Sequence, residues 1–470
     1  MRERRASRLG AYIAIGAALA IGCAVGTPRT VSHAAALSWS PQHVGALASA
    51  QSSSLNAIGA WSEHDIWAVG WIENTSSKET LVLHYNGRSW NRVSSPNVAG
   101  QQDNALLGLT VINPDDIWAV GYAVGVTNAE QPLVEHYNGK KWSIVPTPST
   151  NAQQNSRLLG MTSIAADNIW AVGYYTNDQG VYQTLIEHYD GSVWTIVPSP
   201  NSEADVANEL TGISAVSADN IWAVGFENNV NTGMNDPISL SWNGSVWSMI
   251  AIPTPDSTQP AQLNAVVALH ANDVWAVGYS TNSQSLGNES LVEHWGGNGW
   301  GIVTNNLGVA EQDNAVYAAT SLGQSNLATS QVLSQLNKND VPALGSDATV
   351  ICVGSTGGSA LAAQWNGSSF VLYPQLNNSG LAGLVMSGVD ELTPTSFWMV
   401  GNGTNGQSNT EGAIIHYGTP VIPLAAPVVK HAAAKPKPQQ GGNTGILILL
   451  IIVVGGLGGG YYYWQHMQQQ

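Results

Sequence analysis

Asp116-Ile117-Trp118-Ala119-Val120-Gly121, followed by His136-Tyr137-Asn138-Gly139-Lys140-Lys141-Trp142, is the passage that decides the fold. Its first half returns with Trp at 67, 118, 170, 222 and 275, spacings of 51, 52, 52 and 53. Two degenerate copies follow, Val350-Ile351-Cys352-Val353-Gly354 and Phe397-Trp398-Met399-Val400-Gly401. The second half returns with its last residue at Trp90, Trp142, Trp194, Trp247 and Trp300, and as Phe370 in a sixth copy. A fixed period of about 50 residues marks stacked supersecondary units, because each unit buries its apolar faces only against its neighbours.

Within the second copy, 106–112 reads as a first strand and Asn113-Pro114-Asp115-Asp116 as a tight turn. A second strand follows at 117–122, a third at 132–137 after a long polar loop, and a fourth at 141–146. Asn138-Gly139 is expected to make a two-residue type I′ turn, whose two central residues need positive φ. The pair recurs as Asn86-Gly87, Asp190-Gly191, Asn243-Gly244 and Asn366-Gly367. Four short strands per period, apolar on both faces, predict an all-β chain: a seven-bladed β-propeller of four-stranded blades over residues 37–420.

The phase of the repeat predicts how the ring closes. A strand-four aromatic precedes the next strand-one apolar residue by 16 positions from Trp90 to Leu106, Trp142 to Leu158, Trp194 to Leu210, Trp247 to Leu263 and Trp300 to Val316. Trp39 stands 16 before Leu55, so Leu37-Ser38-Trp39-Ser40 reads as an orphan fourth strand, while the seventh copy ends at His416-Tyr417-Gly418 without one. The last blade is therefore expected to be completed by the N-terminal strand, which removes open sheet edges. Small residues at Ala57, Gly108, Gly160, Gly212, Ala265, Ala318 and Gly383 are assigned to a ring about the axis. Blade six carries an insertion in which Leu327, Val332, Leu333 and Leu336 suit a short amphipathic helix, read as a cap.

Of the 470 residues only 10% are charged. Between 37 and 420 there are 30 acidic residues against seven basic ones (Lys78, Arg88, Arg92, Lys140, Lys141, Arg157, Lys338), a formal charge of −23. Such a domain repels phosphate backbones, which excludes DNA or RNA as the expected partner. Sixteen of the 18 Trp fall within the repeat, so the aromatic richness reports blade stacking rather than a sugar-binding platform. Residues 1–36 read as a signal peptide, with Arg2, Arg4, Arg5 and Arg8 before an apolar run and small residues at 34–36; an uncleaved anchor is the alternative. Residues 421–444, which include Lys430, Lys435 and Lys437, read as an extended tether, and 445–464 as a transmembrane helix of about 30 Å with Tyr461–Trp464 as an interfacial belt. A short tail, 465–470, follows.

The Asp-x-Trp-Ala-Val-Gly and Asn-Gly-x-x-Trp repeats resemble those of secreted bacterial β-propellers of the kelch, galactose-oxidase-like and tectonin-like group, over residues 37–420. The Gly-Gly pair that kelch repeats carry after strand two is absent from most blades. What the resemblance implies is the fold; propellers serve as binding modules, scaffolds and enzymes alike.

His84, His136, His188, His294 and His416, three of them preceded by Glu135, Glu187 and Glu293, look like a metal series. They lie on strand three, where equivalent positions of neighbouring blades diverge, so a repeated structural role is expected. His43, His64 and His270 are scattered singles. A carboxylate clamp needs arginines from several blades, but only Arg88, Arg92 and Arg157 are present and the first two share a strand. Cys352 takes the apolar place of a core strand, and Cys23 lies in the signal. No catalytic, cofactor-binding or metal residues are assigned, and no cofactor is expected. The loops 72–80, 123–131, 175–184 and 227–236 between strands two and three are long, variable and polar, and share a face with the strand-four-to-one links. Recognition usually resides on such loops over a rigid scaffold. The expected function is non-catalytic binding of an extracellular glycan or protein by a propeller held on the outer side of the cell membrane. A glycan-active hydrolase, lyase or oxidase and a scaffold of an envelope complex are the competing readings; the oligomeric state is left open.

Overall fold

The computed structural model describes residues 37–419, apart from 49, 74–76, 101, 204–205, 230–231, 306, 308–312, 322–349, 375, 377–378 and 394–395. The chain divides into Met1–Leu424 and Ala425–Gln470, and the second unit lies wholly outside the described residues. So do the expected signal 1–36, the tether 421–444, the membrane helix 445–464, the tail 465–470 and the blade-six insertion with its proposed helix. Among the described residues no helix is long and apolar enough to cross a membrane.

Seven four-stranded antiparallel sheets form the blades. Blade 2 shows the pattern: strands Asn104–Asn113, Asp116–Val124, Glu130–Tyr137 and Trp142–Ile144, paired in that order. Blade 1 spans 52–93, blade 3 156–196, blade 4 208–249, blade 5 261–302, blade 6 314–372, and blade 7 382–418. The fourth strand of blade 7 is Ser38–Pro41, which pairs with Thr410–Gly418 in the register Trp39↔Tyr417, as the 16-residue phase predicts. Each seam between blades is a separate apolar cluster; that between blades 1 and 2 joins Trp67, Val69 and Val82 to Leu106, Ile117, Leu133 and Trp142. Both faces of strand two are buried, which is why Ile117 to Gly121 is an unbroken apolar run.

The glycine that ends each Trp motif has a steric cause. Strand one carries a β-bulge, between Leu106 and Gly108 in blade 2, and the partner of Leu106 is Gly121. A Cβ on Gly121 would stand 1.9 Å from the carbonyl oxygen of Ala105. The same approach recurs at Gly70, Gly173, Gly225, Gly278, Gly354 and Gly401, at 1.9 to 2.0 Å.

The ring of small residues is real in six blades and misassigned in the seventh. The bulge places Ala57, Gly108, Gly160, Gly212, Ala265 and Ala318 at the axis, but in blade 7 the shift falls between Met386 and Gly388. Gly388, not Gly383, packs there, with Ala57 Cα 3.1 Å from where its Cβ would be. The strand carries an additional shift between Ala382 and Val385, which sets Gly383 off the ring. The axis encloses a channel of about 200 Å³ lined by this ring and by the bulge residues, among them Asn56, Thr211, Asn264 and Tyr317.

The turn between strands three and four also differs from expectation. Only the glycine has positive φ (Gly139, 80°), and Tyr137 pairs with Trp142 across a four-residue loop. Asn138 is selected for its side chain: its Oδ1 accepts from the backbone N–H of Lys140 and Lys141 at 3.2 Å each. Asp190 does the same in blade 3, accepting from Ser192 and Val193 at 2.9 Å each, so a carboxylate replaces the amide without loss. Gly139 also lies against Asp115 of the strand-one-to-two turn, so the two short turns share one face and touch.

Candidate functional site

The histidines are absorbed by the seams. His84 Nε2 lies 2.8 Å from Asp65 Oδ1, the same oxygen that accepts the Trp67 indole N–H at 2.9 Å. The imidazole stacks on Trp67 with centroids 4.1 Å apart, and the indole then meets Tyr137 and Trp142 of the next blade. Asp116–Trp118–His136, Asn168–Trp170–His188 and Asp273–Trp275–His294 repeat the arrangement with acceptor distances of 2.8 to 2.9 Å. His416 takes Ser396 Oγ at 2.9 Å instead, and burial lowers its pKa to about 4. Blade 4 has Ser241 in the histidine slot, and blade 6 pairs Ile351 with Gln364. One oxygen thus orders two aromatic side chains, which the sequence shows only as a recurrent Asp or Asn two residues before Trp. Among the described residues no group of three or more His, Cys, Asp or Glu is placed to hold a metal. Cys352 is fully buried, and burial pushes its thiol up to about 12, which leaves it unreactive.

Replacing Asp116 by Ala strands the Trp118 N–H and the His136 ring. Denaturant titration is expected to show a loss of about 1–3 kcal/mol. Asp116→Asn is expected to cost little, since blades 3 and 4 use Asn168 and Asn220 in that place.

The amides of the long loops are partly spent within those loops. Asn177 Oδ1 accepts from Gln179 and Val181 at 3.0 Å each, Asn282 Oδ1 from Gln284 at 2.7 Å, and Asn405 Oδ1 from Gln407 at 3.0 Å. Blade 6 is notched on this face, its strands two and three being joined by Gly357-Gly358 alone.

Chemical difference between blades concentrates where strand one begins and strand two ends, on the long-loop face. In blades 1 to 7 the strand-one slot reads Ser54, Ala105, Arg157, Glu209, Gln262, Ala315 and Val385. Its strand-two partners are Trp71, Tyr122, Tyr174, Phe226, Tyr279, Ser355 and Asn402. Arg157 sits over the Tyr122 ring at 4.1 Å and is clasped through two nitrogens by Glu130 of blade 2. Tyr174 O–H donates to the same carboxylate at 3.3 Å, and Tyr182 stacks on Tyr174 at 4.4 Å. Glu209 stands beside this group; burial raises its carboxyl to about 7, against the pull of Arg157. Farther round the mouth, Asn235 Nδ2 donates to Gln262 at 3.3 Å and Gln262 Nε2 to Asn264 at 2.9 Å. Arg157 and Glu209 lie two residues, about 7 Å, up strand one from the channel-lining Leu159 and Thr211. In the sequence Arg157 suggests only a member of a carboxylate clamp. Its signal was the unlike residues in one repeat slot.

No family model matches the chain, and no curated protein matches it. Solved structures similar to it include a protein of unknown function from Dyadobacter fermentans, at 10% identity, covering 78% of this chain and 96% of that one with a TM-score of 0.43. A glycoside hydrolase superposes at 10% identity over 52% of this chain and 91% of its own, TM-score 0.29. A mutant of the NanB sialidase from Streptococcus pneumoniae does so at 9% identity over 78% and 68%, TM-score 0.39. None of these likenesses bears on the chemistry of this chain.

Proposed function

We propose that the chain is a cell-surface propeller, exported by residues 1–36 and held to the membrane by 445–464, that captures an extracellular glycan or protein through its long-loop face without turning it over. The kelch-like and tectonin-like resemblance of its repeats belongs to the same reading. The observation that carries it is the divergence of the paired slots at the channel mouth. The Trp, Gly and His of the repeat recur from blade to blade, whereas the strand-one slot holds Arg157, Glu209 and Gln262 in successive blades over strand-two partners that stay aromatic in blades 1 to 5. Recognition needs such asymmetry, because a ligand meets the mouth from one side only. Glycan and surface-protein arrays probed with the full chain in detergent are expected to give a defined ligand class. The double variant Arg157→Ala, Glu209→Gln is expected to lose it, with the far-UV spectrum unchanged. A flat response across both arrays sinks the proposal.

Glu209 also favours a second reading. A carboxyl raised to about 7 by burial, within reach of the Arg157 charge, suits acid–base work on a glycan. Release of reducing ends from a polysaccharide panel, abolished by Glu209→Gln, would replace capture with catalysis.

A further inference from the structure

Strand three holds one inward slot per blade, facing the preceding blade and filled by Leu83, Glu135, Glu187, Leu240, Glu293, Ala363 and Ile415. The three glutamates pair with Ala119, Ala171 and Ala276 in the middle of their sheets, and each is 0% exposed. Neither carboxyl oxygen of Glu135 or Glu293 meets a hydrogen-bond partner among the described residues, and Glu187 receives only the hydroxyl of Thr147. Glu135 lies in the seam of Trp67, Val69 and Val82, whose titratable groups are His84 with Asp65 and Tyr137. The seam of Glu187 holds Trp118 and Val120, with His136, Asp116 and Tyr189. That of Glu293 holds Trp222 and Val224, with Asn220 and Ser241 where other blades carry an acid and a histidine. Burial alone raises Glu135 and Glu293, and no charge among the described residues faces them in compensation. An ionised carboxylate cannot be held in such walls without a partner.

We propose that glutamic acids stand in neutral form in the seams between blades 1 and 2, 2 and 3, and 4 and 5, and that the propeller is thereby built for acidic surroundings. Burial lifts all three carboxyls from an ordinary 4.5 to about 8. The folded state therefore binds their protons more tightly than the unfolded one. Stability from these groups is complete below about 4.5 and drains away as pH climbs to about 8. Glu209, raised to about 7, adds to the same trend. His416 and His188, both lowered by burial, act in the opposite sense, around and below 6.5, where the unfolded imidazole takes up its proton. Above 6.5 the glutamates dominate, since the unfolded imidazoles lose the rest of their protons by about 7.5 and exposed carboxylates are already ionised there.

Thermal unfolding of the full chain in detergent tests this. The midpoint is expected to fall by about 5–10 °C between pH 6.5 and 8.5. Changing Glu135, Glu187 and Glu293 together to Leu, the residue blades 1 and 4 already use, is expected to flatten the profile to within about 2 °C and raise the midpoint at pH 8.5. The triple change to Gln is expected to flatten it as well. Should the triple variants not fold, Glu135→Leu alone is expected to remove about a third of the slope. A wild-type midpoint that holds or rises across this window overturns the inference, as does a Leu variant that keeps the wild-type slope.

Discussion

A chain beginning at Gln42, and so lacking residues 37–41, is expected to lose blade 7 as a stable unit. Trp39 packs edge-on against Tyr417, Phe397 and Tyr373, with centroids at 4.8, 5.8 and 6.1 Å, and its indole N–H donates to the Pro374 carbonyl at 2.6 Å. Its strand completes the blade-7 sheet and so stitches the start of the chain to the end. Trp39→Ala alone is expected to cost about 3 kcal/mol, and the deletion more. It also frees the edge of Thr410–Gly418, so concentration-dependent association should appear. Denaturation midpoints together with size-exclusion profiles check both effects. A synthetic peptide of residues 37–44 added to the truncated chain is expected to restore the midpoint, because the lost strand is separate in sequence from the sheet it completes.

Gly121→Ala is the second change with a large expected effect. Its Cβ would meet the Ala105 oxygen at 1.9 Å and two further backbone atoms at 2.9 Å, none of which belongs to a side chain that can turn aside. The bulge must open or the strands must part, and a loss of about 3 kcal/mol or more follows. Gly180→Ala gives the contrast. That loop glycine has nothing within 4 Å of its Cβ position, so only its φ of 81° resists, at about 1 kcal/mol. Parallel urea titrations of the two variants separate backbone collision from conformational strain.

Much of the fold is legible in the chain. The 51–53 residue period gives the blades, and the 16-residue offset gives the closing strand, because both express spacings along a polymer that strand geometry fixes. The same offset counted from Phe370 reaches Met386 and hence Gly388, so that axial residue too was within reach. The Asn-Gly turn departs from the expected type I′ because a dipeptide does not say whether its asparagine contributes backbone φ or a side-chain acceptor.

The site was legible only as a face. That face carries the long loops, but the groups at the channel mouth come from different blades. Glu130 and Arg157 are 27 residues apart, and Tyr174 and Glu209 are 35 apart. Their meeting depends on how one bulged strand packs against the next blade. The five histidines present the converse case, a recurrent pattern that suggests chemistry and is consumed by architecture once Asp65, Asp116, Asn168, Asp273 and Ser396 turn toward them.

By itself, then, the sequence determined the number of blades, their strands and the closure of the ring, since these follow from periodicity and from which residues tolerate each backbone conformation. Only the tertiary structure decided that Glu135 and Glu293 are sealed without partners among the described residues, that Arg157 is already neutralised by Glu130, and that one oxygen orders the Trp and His pair in blades 1, 2, 3 and 5. The physical reason is that burial and charge compensation are properties of both walls of a seam, and each wall is written about 50 residues from the other.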